Sequence, residues 1–304
     1  MILIDKYAGY CWGVVKTIEK VEQTLLSNSN KNVCVLGEII HNPHEIKRLN
    51  QKKLNTIDYQ DLNFISNDNS IVVIRAHGEP PSTYKLIQNN NISLVDATCP
   101  LVKRLQNKIL NYYKDNWQII IFGKINHAEV IGLRGCCNDN CIVAMDADIV
   151  SKKINFQKKT IVFSQTTMNV NNYNLFFEQL FYFFKKNNFN IQNDFLKDII
   201  KKESTVCKFM INREEKLKEF AKNNNLILFV AGNHSSNGKV LFDICKKINL
   251  NTIFIEDVND INNEKEYMIS KIKNFNSVGI TGATSTPMWY LEKVKSVLEK
   301  NLNN

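Results

Sequence analysis

Five histidines, His41, His44, His77, His127 and His234, all fall in or just after the polar segments that end short apolar runs. Imidazole can hold a phosphate, bind a metal or move a proton near neutral pH. One such histidine is most often a helix cap or a surface residue. Five in the same kind of position mark a zone where a ligand would sit. The eight cysteines divide into groups. Cys34 lies inside the apolar run NVCVL and Cys245 inside the helical pattern VLFDICKK, so both read as core residues. Cys136, Cys137 and Cys141 lie in RGCCNDNC, which reads as a hairpin turn whose spacing matches no common zinc or cluster pattern. Cys11, Cys99 and Cys207 differ, because each opens a helical pattern beside a polar tip, in GYCWGV, DATCPLV and STVCKF. They stand 88 and 108 residues apart, so each comes from a different structural unit, and spacing alone does not bring them together.

Three further tips carry hydroxyls and amides: Ser164, Gln165, Thr166 and Thr167 in SQTTMN, Ser235, Ser236 and Asn237 in GNHSSNGK, and Thr284, Ser285 and Thr286 in TGATSTP. Such groups suit phosphate oxygens at helix starts, where free N–H groups and the positive dipole end favour an anion. The plainer reading is that they only cap helices.

The elements that must position these residues follow from the apolar runs. IIIF (119–122), TIVF (160–163), LILFV (226–230), TIFI (252–255), SVGI (277–280), NVCVL (32–36), IVVI (71–74) and ISLV (92–95) each end in a polar or glycine-containing tip followed by a helical pattern. Strands alternating with helices predict an α/β fold with parallel sheets and ligands at the carboxyl ends of the strands. All five prolines, Pro43, Pro80, Pro81, Pro100 and Pro287, follow a tip and precede a helical pattern, which suits the first helical position. Leu175, Phe176, Leu180, Phe183 and Phe184 recur at helical spacing and predict a core-facing helix rather than a membrane span.

At 304 residues the chain predicts two or three domains without a flexible linker. The net charge of +9 allows an anionic metabolite, but no cluster of basic residues interleaved with aromatics favours nucleic acid. No signal peptide is read in the first residues, no segment is long enough for the membrane, and a cytoplasmic location is expected. Eight cysteines in that compartment suggest metal or redox chemistry more than disulfides.

GEIIHNPHEIKRL, RAHGEPP, DATCP, HAEVIGL, SQTT, NHSSNGKVL and GATSTP, in this order between GYCWGV and GATSTPMWYLEKV, resemble the 4-hydroxy-3-methylbut-2-enyl diphosphate reductase family, the last enzymes of the non-mevalonate isoprenoid route. The resemblance spans nearly the whole chain. It implies three small α/β units in a pseudo-threefold trefoil around a central iron–sulfur cleft, here 14–97, 98–203 and 204–304, with 1–13 packing on the last. It implies that Cys11, Cys99 and Cys207 hold a [4Fe–4S] cluster, leaving one iron open to the substrate hydroxyl. His41, His77, Ser235, Asn237 and Ser285 match diphosphate contacts, and Ser236 sits beside them. His127, Glu129 and Thr166 match residues near the hydroxyl, with Glu129 delivering the proton from a carboxyl of raised pKa. The implied reaction is reductive dehydroxylation of the allylic diphosphate to isopentenyl and dimethylallyl diphosphate, with ferredoxin or flavodoxin as electron donor.

Three positions depart from the family pattern. Trp12 stands where a small residue is common, Met210 where threonine is frequent, and His234 where some members have lysine. Other readings stay open on the residues alone: a non-catalytic iron–sulfur carrier or sensor, a basic RNA-binding protein, or a zinc protein. The oligomeric state is not legible.

Overall fold

The computed structural model describes residues 1–65, 69–188 and 193–303. The chain begins with β1 (Ile2–Ile4), α1 (Trp12–Ser27), β2 (Asn32–Leu36), α2 (Pro43–Gln51), β3 (Leu54–Ile57), β4 (Ser70–Ile74), α3 (Pro81–Asn89) and β5 (Ser93–Asp96). It continues through α4 (Pro100–Lys114), β6 (Gln118–Phe122), α5 (Ala128–Gly135), β7 (Cys141–Ala144), α6 (Ala147–Ser151), β8 (Thr160–Ser164), α7 (Val170–Asn187), α8 (Asn193–Ile199) and β9 (Ile200–Lys202). It ends with α9 (Lys208–Lys222), β10 (Leu226–Val230), α10 (Ser236–Ile248), β11 (Thr252–Ile255), α11 (Val258–Asn263), α12 (Lys265–Lys273), β12 (Val278–Gly282) and α13 (Met288–Asn303).

These strands make three four-stranded sheets, ordered β3-β2-β4-β5, β7-β6-β8-β9 and β11-β10-β12-β1, and every pairing is parallel. One plan is therefore used three times, with the opening strand of the chain completing the last sheet. The two central strands of each sheet are almost wholly buried, as in Ile119, Ile120 and Ile121 of β6. Helices cover both faces of such sheets, which is why these strands read as continuous apolar runs instead of alternating ones. Full burial of each such side chain contributes about 1.5–3 kcal/mol.

The chain divides into two compact units. One comprises Met1–Glu19, Ile40–Lys53 and Lys208–Asn304 and contains the sheet of β1, β10, β11 and β12; the other comprises Lys20–Ile39 and Leu54–Cys207 and contains the other two sheets. In the first, Leu228, Ile280, Tyr290, Leu291 and Val294 lie at the core. In the second, Leu36, Val72 and Ile74 form one core and Ile109, Ile121, Leu133 and Phe163 another.

Pro43, Pro81 and Pro100 are the first residues of α2, α3 and α4, and Pro287 immediately precedes α13, as their fixed φ predicts. Two expectations need correction. RGCCNDNC is not a hairpin turn: it is the end of α5 followed by a tight turn into β7, with Asn138 and Asp139 at φ of 50° and 59°. In α7 the buried stripe is Tyr173, Phe176, Leu180 and Phe184, whereas Leu175 is exposed and Phe183 only half-buried. A helical face takes every third or fourth residue, and Leu175 and Phe183 fall beside it. Among the described residues no helix is long and apolar enough to cross a membrane.

Candidate active site

Because the three sheets share one strand order, positions can be compared between them. His41, His127 and Ser235 each stand five residues past the end of β2, β6 and β10, which close at Leu36, Phe122 and Val230. Cys99, Cys207 and Cys11 each follow the outer strand of their sheet, β5, β9 and β1, and precede α4, α9 and α1. The backbone N–H of each cysteine donates to a carbonyl two residues past the end of the neighbouring inner strand: Cys99 to Ala76 (3.0 Å), Cys207 to Thr166 (2.9 Å) and Cys11 to Thr284 (3.1 Å). All three thiols are half-buried. Cys99 is the N-cap residue of α4, and its sulfur lies near the backbone N–H groups of Leu101 and Val102. Burial pushes that thiol up, those two N–H groups pull it down, and Cys207 and Glu129 lie within electrostatic reach.

In the unit holding sheets β3-β2-β4-β5 and β7-β6-β8-β9, α5 opens on His127 as its N-cap. The His127 Nδ1 accepts the Glu129 N–H at 3.2 Å, so in the neutral ring Nε2 carries the proton. Glu129 is 1% exposed. Its carboxylate accepts Thr166 N–H at 2.7 Å and Thr166 Oγ1–H at 2.8 Å. Burial pushes its pKa up to about 7, with the two Thr166 hydrogen bonds opposing the rise. His77, on the tip after β4, meets His127 edge to face with ring centroids 5.5 Å apart. Cys99, Cys207, His77, His127, Glu129 and Thr166 are thus brought into one neighbourhood. The other polar groups of the SQTT tip are engaged locally: Ser164 Oγ donates to the Gln165 carbonyl and Gln165 Nε2 to Thr167 Oγ1, both at 2.9 Å.

In the other unit the tips at His41, Ser235–Asn237 and Thr284–Thr286 converge. Ser235 caps α10, its Oγ accepting Gly238 N–H at 3.1 Å and lying 3.3 Å from Ser285 Oγ. Ser285 Oγ donates to the His41 carbonyl at 3.5 Å. Asn237 Oδ1 accepts Thr284 N–H at 3.0 Å, which links it to the carbonyl that holds Cys11. A side chain at Gly232 would come within 2.8 Å of the His41 carbonyl, so the close approach of these tips requires glycine. Ser235, Ser236 and Ser285 are buried at the start of a helix or in a tip, which is the environment an anion uses.

Two histidines lie outside this group. His44 is inside α2, stacked on Tyr290 at 3.6 Å and bonded through Nε2 to the Glu256 carbonyl at 2.8 Å, which is a packing role. His234 is exposed. Among the described residues Cys136, Cys137 and Cys141 do not gather at metal-ligand distance. Trp12 is half-exposed at the start of α1, so its bulk meets no core, and Met210 is buried in α9. The sequence reading missed Gln106, buried on the face of α4 that also carries Val102, Leu105 and Ile109. A polar residue in register with an apolar stripe was its only signal.

A model of the family described as LytB protein matches residues 2–299. The chain is 40% identical over 301 residues to the 4-hydroxy-3-methylbut-2-enyl diphosphate reductase of Chloroherpeton thalassium, covering 96% of this chain and 94% of that one. It is 39% identical over 295 residues to the reductase of the same name from Bacteroides thetaiotaomicron, covering 96% and 95%. The solved E-1-hydroxy-2-methyl-but-2-enyl-4-diphosphate reductase of Plasmodium falciparum superposes with a TM-score of 0.81 at 26% identity, covering 98% of this chain and 87% of that one. A second solved structure, an (E)-4-hydroxy-3-methyl-but-2-enyl diphosphate reductase described as the terminal enzyme of the non-mevalonate pathway, gives 0.69 at 27% identity, covering 98% and 99%.

Proposed function

This chain belongs to the LytB protein family, and on that premise we propose that it reduces (E)-4-hydroxy-3-methylbut-2-enyl diphosphate to isopentenyl and dimethylallyl diphosphate. The reaction takes up two electrons and two protons and releases water. One proton leaves with the hydroxyl oxygen and the other ends on the allylic carbon skeleton.

The observation that carries this reading is Glu129, a buried carboxyl poised near neutrality beside the half-buried thiols of Cys99 and Cys207. A carrier or sensor has no use for such an acid. At neutral pH Glu129 holds a proton in a large fraction of molecules and gives it to the departing hydroxyl. Thr166 orients the carboxyl through two hydrogen bonds, and His127 offers its Nε2–H to substrate oxygen. His41, His77, Ser235, Ser236, Asn237 and Ser285 bind the diphosphate, supported by helix-start N–H groups and buried hydroxyls.

Cys11, Cys99 and Cys207 suit a [4Fe–4S] cluster, one half-buried thiol following the outer strand of each sheet and opening a helix. When bound, the cluster supplies the two electrons one at a time and an iron that lacks a protein ligand. Ferredoxin or flavodoxin is the proposed donor, and the net charge of +9 suits such acidic partners. We carry the division into 14–97, 98–203 and 204–304 with 1–13 and the trefoil arrangement as parts of the same reading, which the thrice-used strand order supports, and the cytoplasmic location goes with the family assignment.

The test is anaerobic incubation of cluster-loaded protein with the allylic diphosphate and a reduced viologen dye. Dye oxidation with both isoprenoid diphosphates as products is expected. A full cluster without turnover would leave the carrier or sensor reading in its place.

A further inference from the structure

Three site-bearing elements meet at one side chain that contacts none of the proposed ligands. Cys99 caps α4, His77 lies on the tip after β4, and His127 with Glu129 opens α5. Gln106, 4% exposed and about two turns into α4, donates from Nε2 to the Glu79 carbonyl at 3.1 Å, two residues beyond His77. The same amide is flanked by two glycines. A methyl group at Gly78 would stand 2.8 Å from Gln106 Nε2, and one at Gly132 would stand 3.0 Å from it and 3.4 Å from the Gly78 carbonyl. Further along α5, a methyl at Gly135 would stand 2.4 Å from Pro80 Cβ. Gly78 has φ of 71°, which a side chain would strain. Helix α5 therefore lies backbone to backbone on the tip that carries His77, and Gln106 is the side chain from α4 inserted at that joint.

A buried amide is an unusual choice on an apolar helix face. An apolar side chain of the same length would fill the space but leave the Glu79 carbonyl without this donor, and the tip would settle differently against α5. The edge-to-face placement of His77 on His127 rests on that joint.

Building on the proposed function, we propose that Gln106 is a positioning residue that sets the His77 tip against α5 and so tunes diphosphate affinity. It does this without touching substrate. Gln106→Met keeps the volume and removes the donor, and Gly132→Ala wedges the joint from the other side. In cluster-loaded protein each is expected to raise KM for the allylic diphosphate about tenfold and to weaken calorimetric binding of inorganic pyrophosphate by a similar factor, with kcat changed by less than about threefold. Ile109→Ala, one turn further along the same buried face, serves as the control for general loosening of α4. It is expected to lower Tm while leaving KM and pyrophosphate affinity unchanged. Unchanged KM and affinity in Gln106→Met and Gly132→Ala would overturn the inference, as would an equal loss in Ile109→Ala. Either of those variant results, alongside normal turnover by wild-type protein, would overturn the inference and leave the proposed function intact. Wild-type protein that bound no pyrophosphate would remove the diphosphate reading and this inference with it.

Discussion

Thr166 donates twice to Glu129, its backbone N–H to one carboxylate oxygen at 2.7 Å and its hydroxyl to the other at 2.8 Å. The same threonine accepts the N–H of Cys207 through its carbonyl. One residue thus joins the acid to a proposed cluster ligand and fixes the plane of the carboxyl. Burial favours the protonated form and the two donors favour the ionised one, and burial wins, leaving the pKa at about 7.

This balance predicts the pH dependence of turnover. Glu129 acts as an acid, so kcat should fall as pH rises through about 7, the pKa that burial gives it. Thr166→Val removes the hydroxyl bond and keeps the N–H bond, so the carboxyl pKa rises further and the falling limb moves to higher pH. A limb that stays in place or moves to lower pH in that variant would contradict the assignment.

Cluster content separates the cysteines. Serine at Cys11, Cys99 or Cys207 should abolish intact cluster, read as iron and acid-labile sulfide per chain. Serine at Cys245, buried in α10 beside Thr252, should leave cluster content unchanged. Full clusters in all three of the first variants would defeat the ligand assignment.

Ser285 bridges two tips, reaching Ser235 Oγ and the His41 carbonyl. Ser285→Ala removes both bonds and a diphosphate donor, a loss of about 1–1.5 kcal/mol that should raise KM roughly five- to tenfold. Steady-state kinetics on protein of matched iron content checks this, and an unchanged KM would take Ser285 out of the binding set.

Away from the site, Arg213 and Asp5 form a buried ion pair at 2.8 Å, and Thr281 Oγ1 bonds to both partners. Arg213→Met leaves Asp5 charged and buried, which should cost about 3–5 kcal/mol in denaturant unfolding. The double variant with Asp5→Asn should recover part of that loss. Equal stability of Arg213→Met and wild type would mean that the pair contributes nothing to holding β1, α9 and β12 together.

The central strands were legible because strands covered on both faces leave unbroken apolar runs such as IIIF and LILFV. The outer strands β1, β3, β7 and β9 were not, since they are three or four residues long and only partly buried. RGCCNDNC was misread because Asn and Asp supply the left-handed backbone in helix-to-strand turns as readily as in hairpins. Cys11, Cys99 and Cys207 stood out as cysteines opening helices. The carbonyls of Ala76, Thr166 and Thr284 that bind their N–H groups carry no side-chain signal at all. Nor could the Thr166–Glu129 partnership be read, because it joins residues 37 apart through folding alone.

The most direct measurement compares wild type with Glu129→Gln, both cluster-loaded, in anaerobic turnover of the allylic diphosphate with a reduced viologen dye. The account predicts rapid formation of both isoprenoid diphosphates by wild type, and by the variant a full cluster and near-normal substrate binding with most of the turnover lost. Near-normal turnover by Glu129→Gln would contradict it.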